Sequence, residues 1–203
     1  MTTVPTVTTR LPATERRQAL VDAALAVFSR GSYRGTTTAE IAREAGVSEP
    51  ILYRHFASKR DLYLACIEEA WRRLRAVWDA AIAGNPDSST WLPMMSGCYV
   101  ALKDAKHLVA ELWMQEVVEA GDDAEVQRFL RRHMHDVHDY VADVIRRCQV
   151  NNTVLPGRDP DAEAWIFLAG GLLGTVGRRL GGLLGENDFE SIRAARREWL
   201  MGN

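Results

Sequence analysis

The stretch Thr36–Lys59, TTTAEIAREAGVSEPILYRHFASK, constrains the fold more than any other part of the chain. Thr37 stands three residues before Glu40, the spacing of a capping box, in which each side chain satisfies an amide that a helix start leaves open. Ile41, Ala42 and Ala45 give the helix that follows a buried side. Gly46 falls where a helix must stop and turn sharply, and Val47 tucks beneath the turn. Ser48 predicts a second cap. Pro50 is tolerated in the next first turn because the amide it lacks has no partner there. Leu52 and Phe56, four apart, face the core, which leaves Glu49, Pro50, Ile51, Tyr53 and Arg54 pointing outward. Two short helices joined steeply by a glycine turn describe a helix-turn-helix, whose second helix lies in the major groove of DNA. An ordinary helical corner carries the same local signals.

A wider pattern weights the choice. Tyr33-x-x-Thr36-Thr37, Ile41-Ala42, Ala45-Gly46-Val47-Ser48, Leu52-Tyr53-x-His55-Phe56, Lys59 and Leu62 stand at fixed spacings between about Thr14 and about Arg73. The region resembles the amino-terminal domain of TetR-family transcriptional regulators. Two positions depart from the family pattern. Ser32 stands where the family usually has glycine, with Gly31 one place early, and Ile51 stands where it often has threonine or serine. The resemblance implies an all-α protein with an amino-terminal three-helix helix-turn-helix DNA-binding domain. It also implies a larger helical domain that binds ligand and dimerises, its last two long helices pairing with a second copy's into a four-helix bundle.

Charge agrees with a DNA-facing amino terminus. Residues 1–60 hold nine of the 25 Lys/Arg and five of the 27 Asp/Glu, a local net charge of +4 in a chain whose net charge is −2. No apolar run approaches the roughly 20 residues of a membrane span. The start, MTTVPTVTTRLPATE, lacks the basic-then-apolar pattern of a secretion signal and reads as a mobile tail over residues 1–12. Cys66, Cys98 and Cys148 are odd in number and far apart, which fits a reducing cytoplasm.

Periodicity predicts helices throughout, about nine in all. The first runs from Thr14 to Arg30 with Leu20, Ala23, Ala24, Val27 and Phe28 on one face. The fourth begins at Ser58, boxed with Asp61, and continues to about residue 84, where Gly84-Asn85-Pro86 stops it. The domains expected are therefore 13–73, with the fourth helix as connector, and 85–203. In the second, helices are predicted at Trp91–Lys103, Lys106–Ala120, from a cap at Asp122 to Cys148, from Pro160 to about Gly185, and from Asp188, capped by Asn187 with Glu190, to Leu200. The third of these buries Val126, Leu130, Met134, Val137, Val141, Ile145 and Cys148.

Gly170, Gly174, Gly177, Gly181 and Gly185 are spaced 4, 3, 4 and 4, a narrow stripe on a helix. Each interior glycine costs about 0.5–1 kcal/mol against alanine. Close approach of another backbone offsets such a cost, either within the subunit or across a dimer interface of Gly170, Gly174, Gly177, Gly181, Leu173, Leu180 and Leu184.

The DNA contacts expected divide into positioning and reading. Thr37, Thr38, Tyr53, His55 and Lys59 are candidates to hold phosphates, helix starts offering free amides as well, and Thr36 and Ser48 are expected among the DNA-binding residues. Glu49, Pro50, Ile51, Tyr53 and Arg54 are candidates to meet base edges: apolar groups at thymine methyls, Glu49 at cytosine N4, Arg54 at guanine. An acid in a helix's first turn also gains from the dipole without touching DNA. For an effector, Trp91, Met94, Met95, Tyr99, Trp113, Met114, Trp165 and Phe167 supply aromatic and soft surface, with His107, Glu111 or Glu116 as polar handles. A small, mostly apolar molecule is expected, and no cofactor. His133, His135, His138, Asp136 and Asp139 raise a metal reading, but helical i, i+4 pairs alone leave a metal site incomplete, and a solvated polar face is the alternative.

No G-x-S-x-G, H-E-x-x-H, P-loop or dinucleotide fingerprint occurs, which argues against an enzyme. The reading is a sequence-specific DNA-binding regulator, a ligand-released repressor acting as a homodimer on a palindromic operator. A helical ligand-binding or interaction module without DNA binding is the alternative.

Overall fold

The computed structural model describes residues 12–101, 106–120 and 123–202. Among them lie nine α-helices, a 3₁₀ turn at 88–90 and no strand, which agrees with the all-α class expected. The helices are α1 Ala13–Phe28, α2 Thr38–Glu44, α3 Glu49–Tyr53, α4 Lys59–Ala83, α5 Trp91–Ala101, α6 Lys106–Ala120, α7 Ala124–Val150, α8 Pro160–Leu180 and α9 Glu186–Met201. The chain divides into two compact units within α4, after Glu69. Residues 1–11 of the expected tail, and Asp122, the expected cap of α7, fall outside the described residues.

In the first unit α1 contributes Leu20, Val21, Ala24, Leu25 and Phe28 to the core, and Val27, expected there, is half-buried. Ile41 and Ala42 meet them from α2, Leu52 from α3, and Leu62, Tyr63, Cys66 and Ile67 from the start of α4. Three rings pin the loop after α1: Phe28 and Tyr33 each stand edge-on to Tyr63 at 4.8 Å. Ring pairs at that distance add roughly 0.5–1.5 kcal/mol beyond their burial. Ser58 Oγ accepts from the Asp61 amide at 3.0 Å and so starts α4 as expected.

The second unit is built on α7. Val126, Leu130, Val137, Val141, Ile145 and Cys148 are buried as expected, while Met134 is half-buried. His133 and His138 are buried as well, each 5% exposed, so α7 does not present all its histidines to solvent. His138 is accommodated by hydrogen-bonding partners: its Nε2 lies 3.0 Å from the Asp161 carbonyl and its Nδ1 2.9 Å from the Asp139 carboxylate. Asp123 caps α7, its Oδ1 accepting from the amides of Glu125 and Val126. Trp71 and Trp78 of α4 pack around Tyr140 of α7, with ring separations of 5.6 and 5.8 Å.

Helix α8 ends at Leu180, five residues earlier than its periodicity predicts. Gly181 and Gly182 take φ of +57° and +75°, a left-handed conformation that ends a helix and that side chains disfavour. α9 starts at Glu186 and not at Asp188. The Gly185 amide donates to Asp188 Oδ2 at 2.8 Å, in place of the expected Asn187 and Glu190 cap. The two helices run antiparallel: buried Glu163 near the start of α8 accepts from Trp199 Nε1 at 2.8 Å and pairs with Arg196, both near the end of α9.

Candidate nucleic-acid interface and effector groove

The helix-turn-helix is set by two caps and one turn. Thr37 and Glu40 form the full capping box. The Thr37 amide donates to Glu40 Oε2 at 2.8 Å, and Thr37 Oγ1 accepts from the Glu40 amide at 3.2 Å. The amide bond, then the Thr37 hydroxyl, hold the Glu40 carboxyl below the ordinary carboxylate range. At the other end of α2, Gly46 sits at φ +66°. Its amide donates to the Arg43 carbonyl and that of Val47 to Ala42, the paired bonds of a Schellman turn. Ser48 then caps α3 through its backbone: its carbonyl accepts from Ile51 at 2.9 Å, and its side chain makes no cap bond, contrary to expectation.

The outer side of α3 is largely open. Ser48, Pro50, Tyr53 and Arg54 are exposed, Tyr53 by 48%, and Ile51 and His55 are half-buried. Phe56 lies just past the helix and is buried, with the Arg17 guanidinium over its ring at 4.7 Å. Lys59 is half-buried, its Nζ 4.3 Å above the Tyr33 ring.

Three expected contacts are arranged differently. Thr36 is 4% exposed and Thr38 9%, so of the three threonines Thr37 alone faces outward. Glu49 is half-buried and takes the Thr38 hydroxyl proton on Oε1; Tyr53 Oη lies 3.2 Å from the same hydroxyl. Thr38 has a single proton, committed to Glu49, so Tyr53 is the donor to Thr38. A relay from Tyr53 through Thr38 to Glu49 thus links the start of α2 to both ends of α3. Sequence reasoning placed all three residues at the interface and missed that they bond to one another.

In the second unit, a groove of about 320 Å³ opens between α6, α7 and α8. Trp113 and Val117 line it from α6, Leu130 and Met134 from α7, and Trp165 from α8. Gln127, Arg131 and His135 complete it along α7. Trp165 stacks on His138 at 4.3 Å and meets the His135 ring edge-on at 5.6 Å.

Of the effector candidates, Trp113 and Trp165 come together here. Trp91 and Met95 are core residues, the Trp91 indole donating to the Asn85 carbonyl at 2.9 Å. Met94 holds the Asn85 amide through its sulfur, Met114 is half-buried, and Phe167 stands edge-on to Trp78. Glu111 pairs with Arg179 at 2.9 Å, and Glu116 is buried. The side chains of Tyr99 and His107 lie outside the described residues. Among those described, no three His, Cys, Asp or Glu side chains gather as a metal would require. Also among them, no helix is long and apolar enough to cross a membrane.

The glycine stripe divides. Gly170 is exposed, with open space where a Cβ would stand. Gly174 and Gly177 are buried inside the subunit, and a Cβ on Gly177 would meet Leu184 at 3.6 Å. Gly181 belongs to the turn and not to the helix. Leu173 and Leu180 are exposed, Leu184 half-buried.

A capped α2, a Schellman turn and an open α3 define a helix-turn-helix head on an all-helical protein, the architecture of a DNA-binding regulator. The family model described as bacterial regulatory proteins, tetR family, matches residues 20–66. Over those residues the chain is similar to the DNA-binding head of TetR-family regulators. The HTH-type transcriptional activator FasR of Mycolicibacterium smegmatis is 51% identical over 59 residues, 29% of this chain and 27% of that protein. The regulator BetI of Rhizobium meliloti is 35% identical over 57% of each chain. The regulator AcrR of Shigella flexneri is 26% identical over 83% of this chain and 80% of its own. The chain therefore spans about a quarter of FasR and over half of BetI. A TetR-family regulator from Cytophaga hutchinsonii superposes with a TM-score of 0.78 at 14% identity, covering 95% of this chain and 97% of that one. One from Agrobacterium tumefaciens gives 0.74 at 19%, covering 92% and 98%. Those likenesses concern the fold.

Proposed function

We propose that this protein is a repressor that binds a palindromic operator as a homodimer and leaves it when a small, mostly apolar molecule enters the second unit. The observation that carries the reading is the open outer side of α3, with Ser48, Pro50, Tyr53 and Arg54 exposed on a unit whose sequence is locally basic. Thr37, His55 and Lys59 flank that side and hold phosphates, while Pro50, Ile51 and Arg54 meet base edges. The relay to Thr38 supports Glu49 and Tyr53 as residues that set the pitch of α3. The homodimer is supported by exposed Ile166, Leu173 and Leu180 on α8. Helix α4 runs through both units, so ligand in the second alters the spacing of the two recognition helices by moving it. By linkage, DNA weakens ligand affinity by the same factor.

A gel-shift titration against the promoter region beside its own gene, repeated at several salt concentrations, tests this. Sequence-selective binding with a steep salt slope is expected. Replacing Tyr53 and Lys59 together by alanine abolishes it. Binding that is unselective, or untouched by the double substitution, rejects the reading and leaves a helical ligand-binding module.

A further inference from the structure

The chemistry of the groove between α6, α7 and α8 narrows the class of effector, an inference that rests on the ligand-released reading above. Its surface is unevenly divided. Trp113, Val117, Leu130, Met134 and Trp165 are apolar or aromatic. Gln127, Arg131 and His135 stand at i, i+4 and i+8 on α7, so they form one continuous polar edge. That edge contains one permanent cation, and no Asp or Glu lines the groove among the described residues.

The Trp113 Nε1–H is buried and meets no hydrogen-bond acceptor among the described residues. A buried indole N–H ordinarily finds a partner. The groove's own donors, the Arg131 guanidinium and the Gln127 amide, thus edge an apolar trough that contributes no anionic acceptor of its own. The volume, about 320 Å³, is at the small end of the range for ligand sites.

We propose that this groove takes an apolar monocarboxylate: a carboxyl group on a compact aryl or acyl body. Arg131 pairs with the carboxylate, as guanidinium does in its fork geometry. The body lies against Trp165, Leu130 and Met134. A neutral amide of the same body loses the ion pair, and an amine is repelled by Arg131.

The full-length protein is titrated with 2-naphthoate and with decanoate below its micelle-forming concentration, then with the matching primary amides and amines. Binding is read by tryptophan fluorescence and by melting temperature. Each acid is expected to bind at least about tenfold more tightly than its amide, and its amine still more weakly. In Arg131→Gln the gap between acid and amide closes while amide affinity and helix content stay as in the parent; Arg131→Lys keeps part of the gap. Arg131 is exposed on α7, so the variant tests binding and not folding. Neither acid binding, amides matching the acids, or a gap that survives Arg131→Gln overturns the proposal. The regulatory reading is scored separately, by release of operator DNA. Arg131-dependent binding without release keeps the site and removes its effector role. Acid-driven release undiminished in Arg131→Gln keeps the effector role and removes this site.

Discussion

Thr38 illustrates how one hydrogen bond reassigns a residue. A hydroxyl at the start of a helix is well placed to give its proton to a phosphate, yet this one is 9% exposed and gives it to Glu49. Its oxygen in turn receives the proton of Tyr53. The anion at the head of α3 is therefore held in place before DNA arrives. With α3 as the proposed recognition helix, two consequences for binding follow. Phosphates approaching it would meet a fixed negative charge, and a base offering an amino group would meet a preoriented acceptor. Glu49→Gln keeps the shape and an acceptor for Thr38 but removes the charge. Its affinity for unrelated DNA should rise about fivefold at low salt, the effect of about 1 kcal/mol of lost repulsion. Its preference for the operator should shrink. Filter binding to operator and scrambled duplexes measures both, and an unchanged affinity for the scrambled duplex would mean that Glu49 faces no phosphate.

At the scale of elements, Tyr140 of α7 is clasped by α4. Its hydroxyl donates to Asp79 at 2.7 Å, the Arg75 guanidinium lies 5.2 Å from its ring, and Trp78 stacks on it. Burial first, and then the Asp79 carboxylate, hold the phenol proton well above the usual tyrosine range. The sign follows. Above pH 10 the unfolded chain gives up this proton while the folded chain keeps it, so the stability from this contact is full below pH 10 and falls as pH rises further. In an absorbance titration, the difference between parent and Tyr140→Phe should appear with unfolding; a difference centred near pH 10 in the folded protein would remove the clasp. How legible these elements were depended on how local their causes are. The box at Thr37, the stop at Gly46 and the start at Ser58 each rest on residues within four positions, and the sequence shows them. The fate of His138 rests on a carbonyl 23 residues away, at Asp161, and the groove on side chains from three helices. Neither is visible in periodicity. His135 reads as part of a solvated polar face of α7 until Trp165 of α8 is laid beside it. The end of α8 was locally marked, by Gly181-Gly182, but the glycine spacing carried the helix reading past it.

For the molecule as a whole, the exposed apolar residues of the last two helices follow a heptad. Ile166, Leu173 and Leu180 on α8 recur every seven positions, as do Ile192 and Trp199 on α9, and all five are at least 43% exposed. Rows at that spacing keep to one side of a helix, and surfaces of this kind mark interfaces. A twofold partner would cover them and set two recognition helices about 34 Å apart, one turn of the duplex. Gly170 lies between the first two leucine-type positions, exposed and with open space for a Cβ. For a lone subunit, Gly170→Ala should then stabilise α8 by about 0.5–1 kcal/mol. In a dimer whose backbones approach there, the same methyl pushes the copies apart. The dimer therefore predicts that Gly170→Ala lowers the melting temperature and raises the dissociation constant in sedimentation. It also predicts that Leu173→Glu with Leu180→Glu runs at the mass of one chain and binds the operator about a hundredfold more weakly, because the second half-site no longer contributes. A Gly170→Ala protein that is simply more stable, together with a Leu173→Glu/Leu180→Glu protein that still sediments as two chains, places the contact elsewhere.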